Sequence, residues 1–477
     1  MHCGFVVKVT ELRKHSNADK LQVATFFGND TIVDLSTQIG DIGVYFPVDL
    51  QLSEEYCAKN NLVRKKDENG NNVGGFLDPD KRNIKAIKLR GEKSDGLYMP
   101  LSSFTYCYQK ELDDAANPEV PVVNLSVGDQ VTVVNGHDIC KKYIPRKQNR
   151  VGGYSEGNHT RKTKVPYAPL FAEHADTEQL AYNHGAFKFG DEVEITLKMH
   201  GTSQRTGYLP VLQPVKKTFW QKLFKKEPDP VYAYDYVSGT RRVVMEDFEG
   251  GNSFYGSNEF REQHHNAFVG KLNKGETVYY EVVGFTHTGV PIMADGSNKG
   301  LDKDFIKMYG ETTRFSYGCE PDGLRVVETD DMIDGTNIHN EAAPQSDAYV
   351  YRMTMTNEDG FVVDYTPDFM RYRCEQMGVK TVPVLWKGTI PEDGHDYPTA
   401  GEWIQSKAEA YYDGPDPIGK THVREGVVCR ILNRPKFSAY KHKNFEFRVI
   451  EGIVKDVATA PDMEEAQEVI DDSTEAN

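Results

Sequence analysis

Between Asp191 and Ser203 the chain runs Asp-Glu-Val-Glu-Ile-Thr-Leu-Lys-Met-His-Gly-Thr-Ser, and this stretch constrains the fold more than any other. Val193, Ile195 and Leu197 alternate with polar residues, which is the period of a strand that buries one face. The strand ends on Lys198, Gly201 permits a sharp turn, and Thr202 and Ser203 place hydroxyls beside it. The chain is therefore a sheet protein at this point, with a lysine fixed at the end of a rigid element. Such a lysine can be desolvated and used as a nucleophile, although most strand-end lysines are solvated charges.

The 477 residues suffice for two or three domains with a large core. No apolar run approaches the roughly 20 residues a membrane-spanning helix needs, so no membrane partner is expected. The start, Met-His-Cys-Gly-Phe, lacks a signal-peptide layout. Seven scattered cysteines, none at zinc-site spacing, suggest free thiols in a reducing, cytoplasmic setting. A net charge of −16 argues against nucleic acid at face value. Pro461 to Asn477, however, carries seven acidic residues and no basic one, so the rest of the chain stands at −9. Basic residues gather elsewhere, at Lys141, Lys142, Arg146, Lys147, Arg150, Arg161, Lys162 and Lys164. A local basic surface on an acidic protein is compatible with this balance.

Composition divides the chain into four blocks. Residues 1–148 are rich in short β-branched runs separated by Gly, Asp and Asn, which predicts a small β-barrel. Residues 149–164 are Gly-rich, basic and aperiodic, as a linker is. Residues 165–457 carry strand signals with some helical stretches, and 458–477 form an acidic tail expected to be disordered. Within the third block, Leu209 to Pro230 contains Lys-Lys-Thr-Phe-Trp-Gln-Lys-Leu-Phe-Lys-Lys and is expected to be a basic hairpin tip or an insertion.

Further chemistry lies in the third block. In Glu276-Thr-Val-Tyr-Tyr-Glu-Val-Val-Gly284, Glu281 lies on the face opposite Val278, Tyr280 and Val282, just before a glycine turn. A carboxylate there can accept hydrogen bonds from ribose hydroxyls, or can simply be an exposed strand charge. Glu425 shares the parity of Val423, Val427, Cys429 and Ile431, so it projects from an apolar face. Burying an unpaired carboxylate costs several kcal/mol, so Glu425 requires a metal or a cationic partner. Lys441 and Lys443 share parity with Ala439, Phe445 and Phe447. Two inward ammonium groups need an anion, which a polyphosphate would supply. Ser238-Gly-Thr-Arg-Arg242 adds a turn that presents Arg241 and Arg242.

In this order the elements resemble the covalent nucleotidyltransferase superfamily of DNA ligases, RNA ligases and mRNA capping enzymes. Lys198-Met-His-Gly201 is similar to its Lys-x-x-Gly motif I, the Arg241/Arg242 turn to motif Ia, and Tyr280 to Gly284 to motif III. Tyr349-Val-Tyr-Arg-Met353 resembles motif IIIa, Glu425-Gly-Val-Val motif IV, and Lys441-His-Lys443 motif V. His200 matches the Lys-x-His-Gly form found in nick-sealing RNA ligases. The 34 residues after Lys443, 444 to 477, leave no room for the OB domain that DNA ligases and capping enzymes place there. Val9 to Leu21, Gly40 to Tyr45 and Leu89 to Leu97 are similar to the tRNA-binding OB domain of phenylalanyl-tRNA synthetase β chains. The combination resembles the Deinococcus-type RNA ligase family. The chain departs from it at Ser203, where related ligases often have asparagine, at Arg352, where an acidic residue is common, and in the long interval between Lys198 and Glu425.

The resemblance implies an α+β protein: an N-terminal OB-type β-barrel, then an ATP-grasp-like nucleotidyltransferase domain of antiparallel sheets flanked by helices. It implies an ATP-dependent RNA ligase, monomeric and active in RNA repair, that joins RNA 3′-hydroxyl and 5′-phosphate ends, with RNA or an RNA/DNA duplex nick as partner. Lys198 would carry AMP, and cations around it would lower its pKa. Lys441 and Lys443 would contact phosphates, and Glu425 would bind Mg2+ or Mn2+. Glu281 would grip the ribose and Tyr349 or Tyr351 would stack on adenine. His200 with Arg241 or Arg242 would position the RNA ends. The alternatives are a DNA ligase or guanylyltransferase on the same fold, and a non-catalytic tRNA- or RNA-binding protein.

Overall fold

A computed structural model describes the chain except residues 1, 67–71, 108–123, 145–166, 216–228, 246–247, 249–254, 256–257, 334–335, 394–395 and 457–477. The expected linker at 149–164, the acidic tail, and the basic core of the Leu209–Pro230 segment lie outside the described residues. The chain divides into two compact units. The smaller is Met1–Arg146 together with Ser297–Met308 and Phe445–Ala458, and the larger comprises residues within 147–296 and 309–444.

In the smaller unit an antiparallel sheet runs in the order Leu97–Pro100, Ile42–Phe46, Gly4–Lys8, Gln130–Val131. A second sheet joins Leu12–Lys14, Leu21–Phe26 and Asn29–Asp34. Among the described residues these sheets and several two-stranded ladders do not close into one barrel. The core is built on Val6, Val44 and Phe46 from the strands, Tyr56 from the helix Glu54–Lys59 and Phe104 from the short helical turn Leu101–Cys107. The helix Phe445–Asp456 belongs to this unit: Phe445 and Val449 pack with Ala86, Val48 and Leu301. Helical geometry from Phe445 onward corrects the parity argument for the lysine pair. The strand ends at Lys443, so Phe445 and Phe447 owe their burial to the helix and say nothing about the lysines' direction.

The larger unit is built on two sheets. One has five strands in the order Glu178–Gln179, Ala439–Lys443, Gly426–Ile431, Glu192–Leu197, Val384–Thr389. Val193, Ile195, Val427, Cys429 and Ile431 pack there with Ile404 and Ala408 of the helix Ala400–Tyr412. That helix begins with a reciprocal cap, Thr399 to the Glu402 backbone and Glu402 back to Thr399, which satisfies two amides the first turn leaves open. Glu194, of opposite parity, is also buried, because Arg371 of the helix Pro367–Met377 binds both its oxygens at 3.1 and 2.8 Å. The other sheet runs Val231–Gly239, Thr202–Gln213, Glu276–Gly284, Ser346–Thr356, Val362–Asp364, with Lys380–Thr381 also joined to Ser346–Thr356. Its central strand Glu276–Gly284 is buried at every position. The result is an α+β protein of mostly antiparallel sheets.

The opening segment is the crossing between these two sheets. Glu192–Leu197 lies in the first and Thr202–Gln213 in the second. Gly201 is required for space rather than for an unusual dihedral angle. A Cβ there would lie 2.3 Å from the carbonyl oxygen of Val282 and 3.0 Å from Cγ of Glu281.

Candidate active site

The crossing places Lys198 directly after the strand Glu192–Leu197, beside its neighbour Gly426–Ile431. Its backbone N–H donates to the carbonyl of Gly426 at 3.0 Å, which ties the Lys198 turn to the strand that follows Glu425. Gly426 is needed there because a Cβ would meet the His442 carbonyl at 2.1 Å. Glu425 precedes it, with a side chain 2 % exposed. Lys198 Nζ lies 2.7 Å and Lys443 Nζ 3.3 Å from Glu425 Oε1. His200 Nδ1 stands 3.6 Å from Glu425 Oε2. The inward carboxylate thus has cationic partners, as its burial demanded.

Electrostatics follow from this packing. Burial by itself would raise the pKa of Glu425, but Lys198, Lys443 and His200 outweigh it and hold the carboxyl well below its ordinary range. Lys441 is pushed down to about 8, by burial first and then by Lys443, Lys198 and Arg241. Lys441 and Arg241 therefore share the field of Lys198, and phosphate oxygens would relieve the mutual repulsion.

Glu281 lies directly across the ladder from Ser203, and Ser203 Oγ donates to Glu281 Oε2 at 3.1 Å. The serine that departs from the family pattern therefore orients the expected ribose carboxylate. Tyr349 pairs with Glu281 on the next strand, so both project from one side of the sheet. Its hydroxyl donates to Asp347 at 3.0 Å. Tyr351 lies instead against the His174 ring, 5.3 Å away. Arg241 and Arg242 both reach Asp176, at 3.5 and 3.6 Å.

Sequence reasoning missed two groups. Arg261, fully buried on the helix Glu259–Asn266, donates to Thr202 Oγ1 at 2.6 Å and to the Ser203 carbonyl at 3.1 Å, bracing the segment after the glycine. Phe315, Tyr317, His422 and Asp416 are buried around His200. Neither group forms a local pattern. The only sequence signal was the unusual length of the interval that contains Phe315 and Tyr317.

A divalent cation would find one protein donor suited to it. Glu425 Oε2 is buried without a hydrogen bond, while Oε1 faces two ammonium groups. Among the described residues no group of three or more His, Cys, Asp and Glu converges. Mg2+ commonly takes one or two carboxylates and completes its shell with substrate phosphates and water, and Glu425 fits that role.

All seven cysteines are free and buried. Among the described residues no helix is long and apolar enough to cross a membrane.

No family model and no curated protein matches the sequence. Solved structures do. A lysine-to-methionine variant of Naegleria gruberi RNA ligase with AMP and manganese is 17% identical and covers 94% of this chain and 98% of its own, with a TM-score of 0.50. A lysine-to-alanine variant with ATP and manganese gives 16%, 94%, 98% and 0.50. The ligase with pyrophosphate gives 17%, 93%, 97% and 0.50. At such identity the likeness is one of fold: this chain folds as that RNA ligase does, over nearly the whole length of both.

Proposed function

We propose that the protein is an ATP-dependent RNA ligase of the Deinococcus type, working as a monomer in a reducing, cytoplasmic setting in RNA repair. In this proposal residues 1–148 form an OB-type module that binds the RNA strand, and 165–457 an ATP-grasp-like adenylyltransferase domain. The observation that carries it is the convergence of Lys198, Lys443 and His200 on buried Glu425, joined through the Lys198–Ser203 crossing to the Ser203–Glu281 pair of the other sheet. A structural ion pair alone does not call for a third lysine, Lys441, buried close enough to the first two that burial and their charges push its pKa down to about 8. An incoming polyphosphate offsets the summed charge of the three lysines.

Lys198 Nζ attacks the α-phosphorus of ATP; the N–P bond forms, the P–O bond to pyrophosphate breaks, and the lysine sheds its protons to solvent. AMP then passes to an RNA or DNA 5′-phosphate, and the RNA 3′-hydroxyl displaces it to form the phosphodiester. Before reaction Glu425 keeps Lys198 at the crossing, with the amine 2.7 Å from the carboxylate. Lys441 and Lys443 bind the phosphates, Glu281 the ribose and Tyr349 the adenine face, with Tyr351 a supporting wall. His200, Arg241 and Arg242 position the RNA ends. Glu425 would hold Mg2+ or Mn2+ with the nucleotide's phosphates, and the cation would offset negative charge on their oxygens.

The test is incubation with ATP labelled at the α-phosphate, then denaturation. The wild type should carry the label through an acid-labile bond and Lys198→Ala should carry none. Nicks ended by an RNA 3′-hydroxyl should then be sealed in preference to all-DNA nicks. Labelling by GTP alone, exclusive sealing of DNA, or no label at all each refutes the proposal.

A further inference from the structure

Tyr317 lies in the long segment between the two strands that carry Glu281 and Tyr349, a segment to which no motif gives a role. Its phenol is 2 % exposed, and its oxygen accepts the backbone N–H of His200 at 2.7 Å. Its backbone sits at φ 49°, in the left-handed region that bulky residues avoid unless the surroundings impose it. The surroundings do impose it. Asp416 accepts backbone bonds from Ile418 and Gly419 at 2.8 Å and from Thr421 at 3.2 Å, folding a loop against the Tyr317 backbone. A Cβ on Gly419 would lie 2.6 Å from the Gly318 nitrogen, so the two backbones touch. His422 ends that loop, its ring edge-on to Tyr317 at 4.5 Å and to Phe315 at 5.2 Å, and Phe315 packs on the His200 ring at 4.6 Å. Three residues beyond His422 comes Glu425.

We infer that Tyr317 is a positioning residue for His200, held by the Asp416–His422 loop so that the His200 imidazole and the Glu425 carboxylate are set by one rigid cluster. This rests on the ligase proposed above. The ends of the motif I turn have other anchors: Lys198 N–H bonds Gly426, and Thr202 and Ser203 lie in the ladder opposite Val282 and Glu281. At His200, in the middle of the turn, the Tyr317 phenol accepts the backbone N–H. Burial, then the neighbouring Glu425, pushes the phenol's pKa up, so it remains a neutral acceptor. Losing the phenol oxygen would remove this bond from the middle of the turn and loosen the imidazole, while leaving the lysine in place.

The experiment compares Tyr317→Phe, His200→Ala and the double variant in two steps: covalent labelling by ATP, and sealing of an RNA nick whose 5′-end is already adenylylated. Tyr317→Phe should label within about two-fold of the wild type, and its maximal sealing rate should fall about ten-fold with KM for RNA little changed. The double variant should seal no worse than His200→Ala, because both changes act through one group. Phe315→Leu, which leaves the hydroxyl in place and removes the ring wall, should reproduce part of the sealing defect. Wild-type sealing by Tyr317→Phe, or a defect that multiplies with His200→Ala, overturns the inference and leaves the ligase standing. A wild type that neither labels nor seals overturns both.

Discussion

At the scale of single residues the site is governed by one carboxylate serving two ammonium groups. Removing Lys198 leaves Glu425 its contact with Lys443, whereas neutralising Glu425 leaves both lysines against one another and against Lys441. Glu425→Gln should therefore cost more stability, about 3 kcal/mol, than Lys198→Ala, although both should abolish or cripple labelling. Thermal unfolding at neutral pH checks the order, and a larger loss in Lys198→Ala contradicts it. Lys441 gives a pH prediction of definite sign. Its folded pKa of about 8 lies below the ordinary lysine value of 10.5, so the folded state binds fewer protons between the two. Its burial thus costs stability below pH 8, and that cost is relieved as pH rises from 8 to 10.5. Its charge moves the other way: above pH 8 the proposed phosphate site loses a cation. Binding of a non-reactive ATP analogue should weaken as pH passes 8. Lys441→Arg should remove that limb, because a guanidinium keeps its charge. An identical pH dependence in the two proteins refutes the role.

At the scale of elements, alternation made the inner faces of Glu192–Leu197 and Gly426–Ile431 legible, and with them the inwardness of Glu425. Alternation has no information about which strand pairs with which. That is why Lys198–Gly201 reads as an ordinary turn in sequence and is a crossing between sheets in space. The same limit hid the start of the helix at Phe445, since Phe445 and Phe447 fit either a strand face or a helix. Tyr317 was illegible for another reason: its partner at His200 is 117 residues away and its neighbours carry no periodic pattern. The crossing is also where geometry is least forgiving. Gly201→Ala drives a methyl into the Val282 carbonyl, which is backbone and cannot rotate aside. The loss should be about 3 kcal/mol, with labelling falling at temperatures where the chain is still folded. Thr399→Ala, which breaks the capping box of the helix Ala400–Tyr412, should cost about 1 kcal/mol and leave the labelling rate unchanged. Comparing the two by urea melts and initial rates separates damage to the site from damage to its scaffold.

At the scale of the whole molecule, the smaller unit is assembled from three stretches of chain, and its last part is the helix Phe445–Asp456 directly after the lysine pair. That helix is bound by apolar contacts of Phe445 and Val449 and by two ion pairs, Glu446 with Lys93 at 3.0 Å and Arg448 with Asp95. The first pair is partly exposed and worth little. The second sets a carboxylate with only 3 % side-chain exposure against a guanidinium with 17 %. Arg448→Ala removes a guanidinium from beside the buried Asp95 carboxylate, and breaking a pair of this kind costs about 3 kcal/mol. The damage should fall in the N-terminal stretch, several hundred residues away in sequence. Limited proteolysis read by mass spectrometry should show new early cuts within residues 2–144. Covalent labelling at Lys198, whose bonds to Gly426 and Glu425 lie in the larger unit, should persist at the temperature where those cuts begin. Sealing of RNA, which in the proposed function requires the strand-binding unit, should fail there. If labelling and sealing are lost together, the two units do not divide the work between nucleotide and RNA.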